Sequence, residues 1–299
     1  MIDAFLHAAM LMTTPILLAA IGGLVNRIGG IVNIGLESMM LAGALVAVIV
    51  SSDTGSAGFA TLAALFIGAV LGLSMSAVVT RLKANEIIVG LGFAVATAGL
   101  VRFLLKSIYG VSGTYNPPGV AMLPRLVIPG LDAIPVIGAI LSGLDPLTWL
   151  AWALVPATAF VLNRTRWGLR LRATGAAETT VRAVGLDPLT IRDASTVFAG
   201  TLAGLAGAQL SIGVVGLFNE GMTGGRGFIA LAAFYFGRTS PLRTAMGALL
   251  FGVFDAAQIR LQGHGVPTEL VQTLPYLIVI IVLTGLGVAD RRAEGARTF

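Results

Sequence analysis

The chain has 299 residues, 56% of them hydrophobic and 11% charged, with a net charge of +5 and no cysteine. A soluble domain usually carries about 25% charged residues, so a chain with this composition cannot solvate its own surface, and the mean hydropathy of +0.92 points to lipid as the missing solvent. The absent cysteines exclude disulfides and thiol chemistry, and basic residues that fall between apolar stretches speak for membrane topology rather than nucleic-acid binding.

A spanning helix needs about 20 mostly apolar residues. Nine stretches qualify or come close: 4–25, 32–50, 57–79, 86–105, 147–162, 194–216, 226–237, 243–261 and 267–288. No Lys or Arg precedes the first, whereas a signal peptide has a basic leading region, so it reads as a retained helix. The fifth is marginal. The seventh is too short for a straight crossing, so it is either a half-helix or continues irregularly past Gly237. Between the fourth and fifth lies 108–146, crowded with Gly110, Gly113, Pro117, Pro118, Gly119, Pro124, Pro129 and Gly130. That is loop chemistry, with a short interfacial helix expected over 134–141. With the C-terminus inside, fourteen of the nineteen basic residues fall on the inner side, which predicts N-out and C-in. The fold expected is a single all-α integral membrane domain over 1–299, with about nine (eight to ten) spanning helices. Its loop over 108–146 would be extracytoplasmic and its loop over 163–193 cytoplasmic.

Three segments hold polar chemistry in apolar surroundings. The first, 22–44, opens with glycines and continues through Asn33, Glu37 and Met40. Asn33 and Glu37 are four apart and would share a helix face. A carboxylate at membrane depth costs about 2.5–3.5 kcal/mol, so Glu37 needs a partner. Either the glycines break the helix and Asn33, Glu37 and Met40 line a path, or Glu37 is a structural ion-pair or hydrogen-bond partner. The second is the long basic loop 163–195, with a helical piece over 176–184 closed by Gly185 and Pro188. It is either a rigid knob for a soluble partner or a solvated loop that fixes topology. The third carries Asp255, Gln258 and Gln262 on one helix face, as a cavity lining or as a polar seam between helices. No G-x-x-x-x-G-K-[ST] phosphate loop occurs, and Lys83 and Lys106 are the only lysines, so the usual P-loop route to ATP hydrolysis is closed. No Cys/His metal cluster or nucleophile–base set stands out.

The stretches 14-TPILLAAIGGLVNRIGGIVNIGLESMMLAGA-44, 165-TRWGLRLRATG-175, 200-GTLAGLAGAQLS-211, 221-GMTGGRGFIALAAFYFGRTSPL-242, 249-LLFGVFDAAQIRLQ-262 and 274-LPYLIVIIVL-283 resemble, in order, the permease subunit of bacterial ABC importers of the branched-chain amino acid/ribose class. Within that class the nucleoside (purine) uptake branch is the nearest. The resemblance implies that the inner loop is a coupling helix docking on an ATP-binding subunit. Gly168, Arg172, Gly175 and Gly185 fall on that pattern, with Glu178 and Arg182 beside them. The family usually has Glu immediately after the glycine at 175 and Gly-Ile at 185–186. Here Ala176 and Gly185-Leu186 stand instead, and Ser38 replaces a common glycine. Also implied are a second permease chain (a heterodimer, or else a homodimer), an extracytoplasmic binding protein and residence in the bacterial inner membrane. ATP and Mg would be bound by the partner chains, with no cofactor in this one. The cargo expected is a nucleoside or purine, with a sugar or branched-chain amino acid as alternatives. A secondary transporter using Glu37 and Asp255 as H⁺- or Na⁺-coupling carboxylates is the competing class.

Overall fold

The computed structural model describes residues 2–126, 138, 141–262 and 284. In chain order the helices are α1 (Ile2–Ile28), α2 (Leu36–Thr54), α3 (Ala57–Ser76), α4 (Glu86–Tyr109), α5 (Pro146–Arg164), α6 (Arg166–Ala176), α7 (Glu178–Ala183), α8 (Pro188–Ala208), α9 (Arg226–Gly237) and α10 (Pro241–Gln262). Two π-helical stretches extend α3 to Arg81 and α8 to Val215. A two-residue antiparallel ladder pairs β1 (Thr114–Tyr115) with β2 (Phe218–Asn219). Among the described residues seven helices are long and apolar enough to cross a membrane, and α9 is a shorter apolar helix. The expected segments from 4–25 to 243–261 therefore all have helical counterparts. Of the ninth, 267–288, all but residue 284 lies outside the described residues, as does most of the 134–141 helix.

Burial separates the spans into two groups. The most apolar stretches of α1, α2 and α8 are 78%, 67% and 72% buried, and these helices form the centre. The corresponding stretch of α3 is the most hydrophobic yet only 28% buried, and that of α4 is 17% buried. Helices that apolar, with Phe66, Val95 and Phe103 more than 60% exposed, need an apolar surround, from hydrocarbon or from another membrane helix. Glycine makes the central contacts close. A Cβ on Gly72 would lie 2.6 Å from the Thr196 carbonyl, and one on Gly68 or Gly200 would strike the other's backbone oxygen. Small residues four apart on both helices thus let α3 and α8 pack backbone to backbone.

Local chemistry sets the helix ends. Ser56, Asn85, Asp145, Thr165 and Asp187 each cap the N-terminus of the helix that follows with a side-chain oxygen, satisfying N–H groups the helix leaves free. Two differences from expectation follow. The sixth span begins at Pro188, because Asp187 accepts from Leu189 N and Thr190 N while Pro188 takes the first helical position. Pro188 therefore opens this span rather than closing the loop before it. The inner-loop helix starts at Arg166, well before 176, and breaks at Ala177 into α6 and α7.

Candidate functional site

The α1 end is a Schellman motif. Ile31 N donates to Asn26 O and Gly30 N to Arg27 O, with Gly30 at φ +92°. Only glycine holds that backbone without strain. The chain then runs irregularly to Gly35, held midway by Val32 N donating to Glu86 Oε2 at 3.0 Å, and α2 starts at Leu36. The glycines thus break the helix, and Asn33 lies before α2, so it does not share a helix face with Glu37 as the spacing suggested. Asn33 is buried, its amide nitrogen 3.7 Å from the Met39 sulfur. Its Oδ1 has no hydrogen-bond partner among the described residues. Met40 is fully buried, its carbonyl against Gly207.

Glu37, in the first turn of α2, is half-buried and accepts from Gly225 N at 3.0 Å and Gly227 N at 2.7 Å. Those donors open α9, whose approach runs through left-handed Gly224 and Gly225. A Cβ on Gly227 would lie 2.6 Å from the Glu37 Cα, so the two helix starts touch. The carboxylate supplies what a buried helix start lacks: acceptors for free N–H groups and a negative charge at the positive end of the helix dipole. Beside it, the Arg226 guanidinium grips Asp255 Oδ2 at 2.6 Å through Nη2 and 3.0 Å through Nε. Arg226 and Asp255 side chains are 16% and 10% exposed, so this pair joins α9 to α10. Gln258, one turn further along α10, is half-buried. The side chain of Gln262 lies outside the described residues.

The loop over 163–193 packs onto the α1/α2 break. Gly175 lies on the Ile28 carbonyl, and a Cβ on Gly30 would meet the Gly175 Cα at 3.2 Å. Glu178 accepts from Arg182 at 2.8 Å and from Arg192 at 2.7 Å, and Arg192 Nε also donates to Gly29 O at 3.3 Å. The hydrogen bond from Arg182 and the nearby Arg192 charge hold the Glu178 carboxyl below the usual carboxylate range. Gly168 seats α6 against the α5 backbone at Val161 and Leu162. Gly185 (φ +78°) closes α7 in a second Schellman motif, with Leu186 N on Val181 O and Gly185 N on Arg182 O. Arg172 and Arg182 are exposed. The structure therefore brings Gly175, Glu178 and Arg182 together at the break. It leaves Gly168 at the α5 junction, Arg172 on the outer side of α6 and Gly185 at the loop's far turn.

Sequence reasoning missed a buried polar network. Asp145, 3% exposed, accepts from Thr148 N, Thr148 Oγ1 and Gln209 Nε2, the last at 2.8 Å. Thr148 in turn meets Thr14 Oγ1 at 2.9 Å. The network ties α1, α5 and the π-helical end of α8. Asp145 preceding Pro146 was a readable helix-start signal.

Seven apolar spans around a shorter apolar helix, with a partly buried irregular stretch between α1 and α2, are the build of a membrane transport protein. The chain belongs to the family described as "Branched-chain amino acid transport system / permease component", whose model matches residues 5–283. It is 31% identical to the guanosine ABC transporter permease protein NupQ of Bacillus subtilis over 95% of this chain and 92% of that protein. It is 34% identical to the nucleoside ABC transporter permease protein NupC of Lactococcus lactis, over 92% and 89%. It is 31% identical to the putative glucose ABC transporter permease protein TsgC13 of Haloferax volcanii, over 93% and 90%. No solved structure matches. The protein is thus the permease component of an ABC transporter, a multi-pass protein of the bacterial inner membrane and not itself an ATPase. Membership implies ATP-binding and substrate-binding partners.

Proposed function

We propose that this chain imports a nucleoside or purine base as one of two paired permease chains, the second a different polypeptide. The N-terminus is outside and 163–193 faces the cytoplasm, where α6 and α7 form the coupling element gripped by an ATP-binding subunit. That subunit holds ATP and Mg, and a binding protein outside delivers the cargo. The cargo reading rests on the names of NupQ and NupC. The glucose relative makes sugar the first alternative to test.

One observation carries the mechanism: the Gly175 and Glu178 region packs directly on the break between α1 and α2. A push on α6 and α7 meets the Gly29 carbonyl through Arg192 and the Ile28 carbonyl through Gly175. From there α2 is joined to α9 through Glu37. Such discrete contacts between packed elements let a small displacement tilt whole helices between outward-open and inward-open arrangements.

The test uses the complete importer in liposomes, with uptake of labelled guanosine, glucose and leucine measured beside ATP hydrolysis. Guanosine uptake is expected to need ATP. Glu178→Ala with Arg182→Ala, which cuts the Glu178–Arg192 link to the break without adding bulk, is expected to leave hydrolysis and membrane insertion intact while uptake fails. Wild-type uptake in that double variant would remove the loop from the mechanism, and transport of glucose alone would overturn the cargo.

A further inference from the structure

The inner end of α3 is held in an uncommon register. After Ser76 the helix turns π-helical over Ala77–Arg81, and Leu82 N donates to Ala77 O. Such i→i+5 turns are rare. Lys83 follows at φ +53°, a left-handed backbone that costs a lysine free energy. Two unfavourable geometries this close together persist only where the surroundings hold them.

Asp193 in α8 supplies the hold. Its Oδ1 accepts from Ser76 Oγ at 2.6 Å, and Arg81 donates to Oδ1 at 3.3 Å and to Oδ2 at 2.6 Å. Ser76 and Arg81 flank and end the π stretch. In an α-helix, positions with that separation lie about 140° apart around the axis, so Arg81 would lead away from a carboxylate held by Ser76. The i→i+5 turn brings the two toward one face. One carboxylate therefore bridges both ends of the π stretch and favours that register over the α-helical one.

The neighbouring Arg192 binds in the other direction, to Glu178 at 2.7 Å and to Gly29 O at 3.3 Å. One turn of α8 thus joins α7, the α1 end and the α3 end. Beyond Lys83 the chain enters α4, capped by Asn85, and Glu86 holds the Val32 N–H in the α1/α2 break. A cavity of about 630 Å3 lies between Glu178 and Arg182 of α7 and Arg81, Lys83 and Glu86 of the α3–α4 link. Across that gap, α8 is the bridge by which movement of α7 reaches the link.

We propose that Asp193 is a positioning residue for transport: it latches the inner end of α3 in its π register, so that α8 carries displacement of α7 to the start of α4. The inference rests on the reading of α6 and α7 as the coupling element.

The experiment uses the complete importer in liposomes and reads uptake per ATP hydrolysed, with the thermal midpoint of each variant beside it. Asp193→Asn and Arg81→Met should each lower that ratio about fivefold. The double variant should fall no further than the worse single, because both open one latch. Arg81→Lys, which keeps the ion pair, should retain most of the ratio. Arg102→Ala removes another exposed pair, that with Glu220, and should leave the ratio unchanged. The register has its own probe. The chain has no cysteine and Thr80 is 9% exposed, so maleimide labelling of Thr80→Cys should rise when Arg81→Met is added. The Arg81 side chain is 52% exposed, which makes its replacement compatible with folding. A wild-type ratio in Arg81→Met, additive losses in the double, an equal loss in Arg102→Ala or unchanged labelling would each overturn the latch. So would uptake and hydrolysis falling together with the midpoint at a constant ratio, the mark of a merely structural pair. If Glu178→Ala with Arg182→Ala uncouples while Asp193→Asn and Arg81→Met do not, the latch fails and the coupling reading stands. The reverse pattern removes the coupling reading and keeps the latch.

Discussion

Replacing Glu37 by Gln separates capping from path chemistry. In the folded protein both carboxylate oxygens accept α9 N–H groups, at 3.0 and 2.7 Å. Glutamine has one acceptor oxygen, and its NH2 would face an N–H. One charge-assisted bond worth about 1.5–3 kcal/mol is lost, and the surviving bond drops to neutral strength. The charge at the helix start adds about 0.3–1 kcal/mol to the loss. Against this, a neutral amide saves about 2.5–3.5 kcal/mol of membrane insertion. That saving applies equally to the inserted but unpacked chain, so it does not cancel the capping loss during packing. The net expectation is a destabilisation of roughly 2–4 kcal/mol for Glu37→Gln, with Glu37→Ala worse because both N–H groups lose their acceptor. Thermal unfolding of the purified protein in detergent should show midpoints in the order wild type, Gln, Ala. Uptake per folded transporter should stay near wild type in Glu37→Gln. A Gln midpoint equal to wild type would refute the capping argument. Normal melting with abolished uptake would place the charge in the path instead.

Three further outcomes are expected. Asp255→Ala leaves the Arg226 guanidinium largely buried without its carboxylate and should cost about 3–5 kcal/mol, whereas Arg226→Met with Asp255→Leu should regain much of that; thermal midpoints of the singles and the double decide it. Gly200→Ala drives a methyl into the Gly68 carbonyl and should cost about 1–3 kcal/mol. Gly92→Ala and Gly99→Ala, with nothing within 4 Å, should gain up to about 1 kcal/mol, so a shared sign in all three would contradict the packing. Because Arg182 and Arg192 depress the Glu178 carboxyl, its contribution is fully present above the ordinary glutamate value of about 4.3 and is lost as pH falls through the lower folded value. The stability gap between wild type and Glu178→Gln should therefore be flat from neutral pH to about pH 5 and close only in stronger acid.

The spans were legible because lipid enforces a crude rule, namely long apolar runs with internally satisfied backbone. What hydropathy hid were helices that begin in charged sequence. Arg192 and Asp193 in the second turn of α8 obscured a start that Asp187 and Pro188 spell out. Their charges are compatible with a span because Glu178 and Arg81 neutralise them. Segment α6 escaped because its buried positions, Gly168, Leu171 and Thr174, include only one large apolar residue. At the site, the need of Glu37 for a partner was readable from cost alone, but the identity of that partner was not. Its partners are main-chain N–H groups of Gly225 and Gly227, which every residue but proline possesses. The same holds for Gly29 and Ile28, which meet the loop through their carbonyls. A sequence shows which side chains demand neighbours. Where the neighbour is backbone, only the glycines that permit the approach leave a trace, and here Gly30 and Gly175 mark the contact of the inner loop with the α1 end, and Gly225 and Gly227 that of Glu37 with the α9 start.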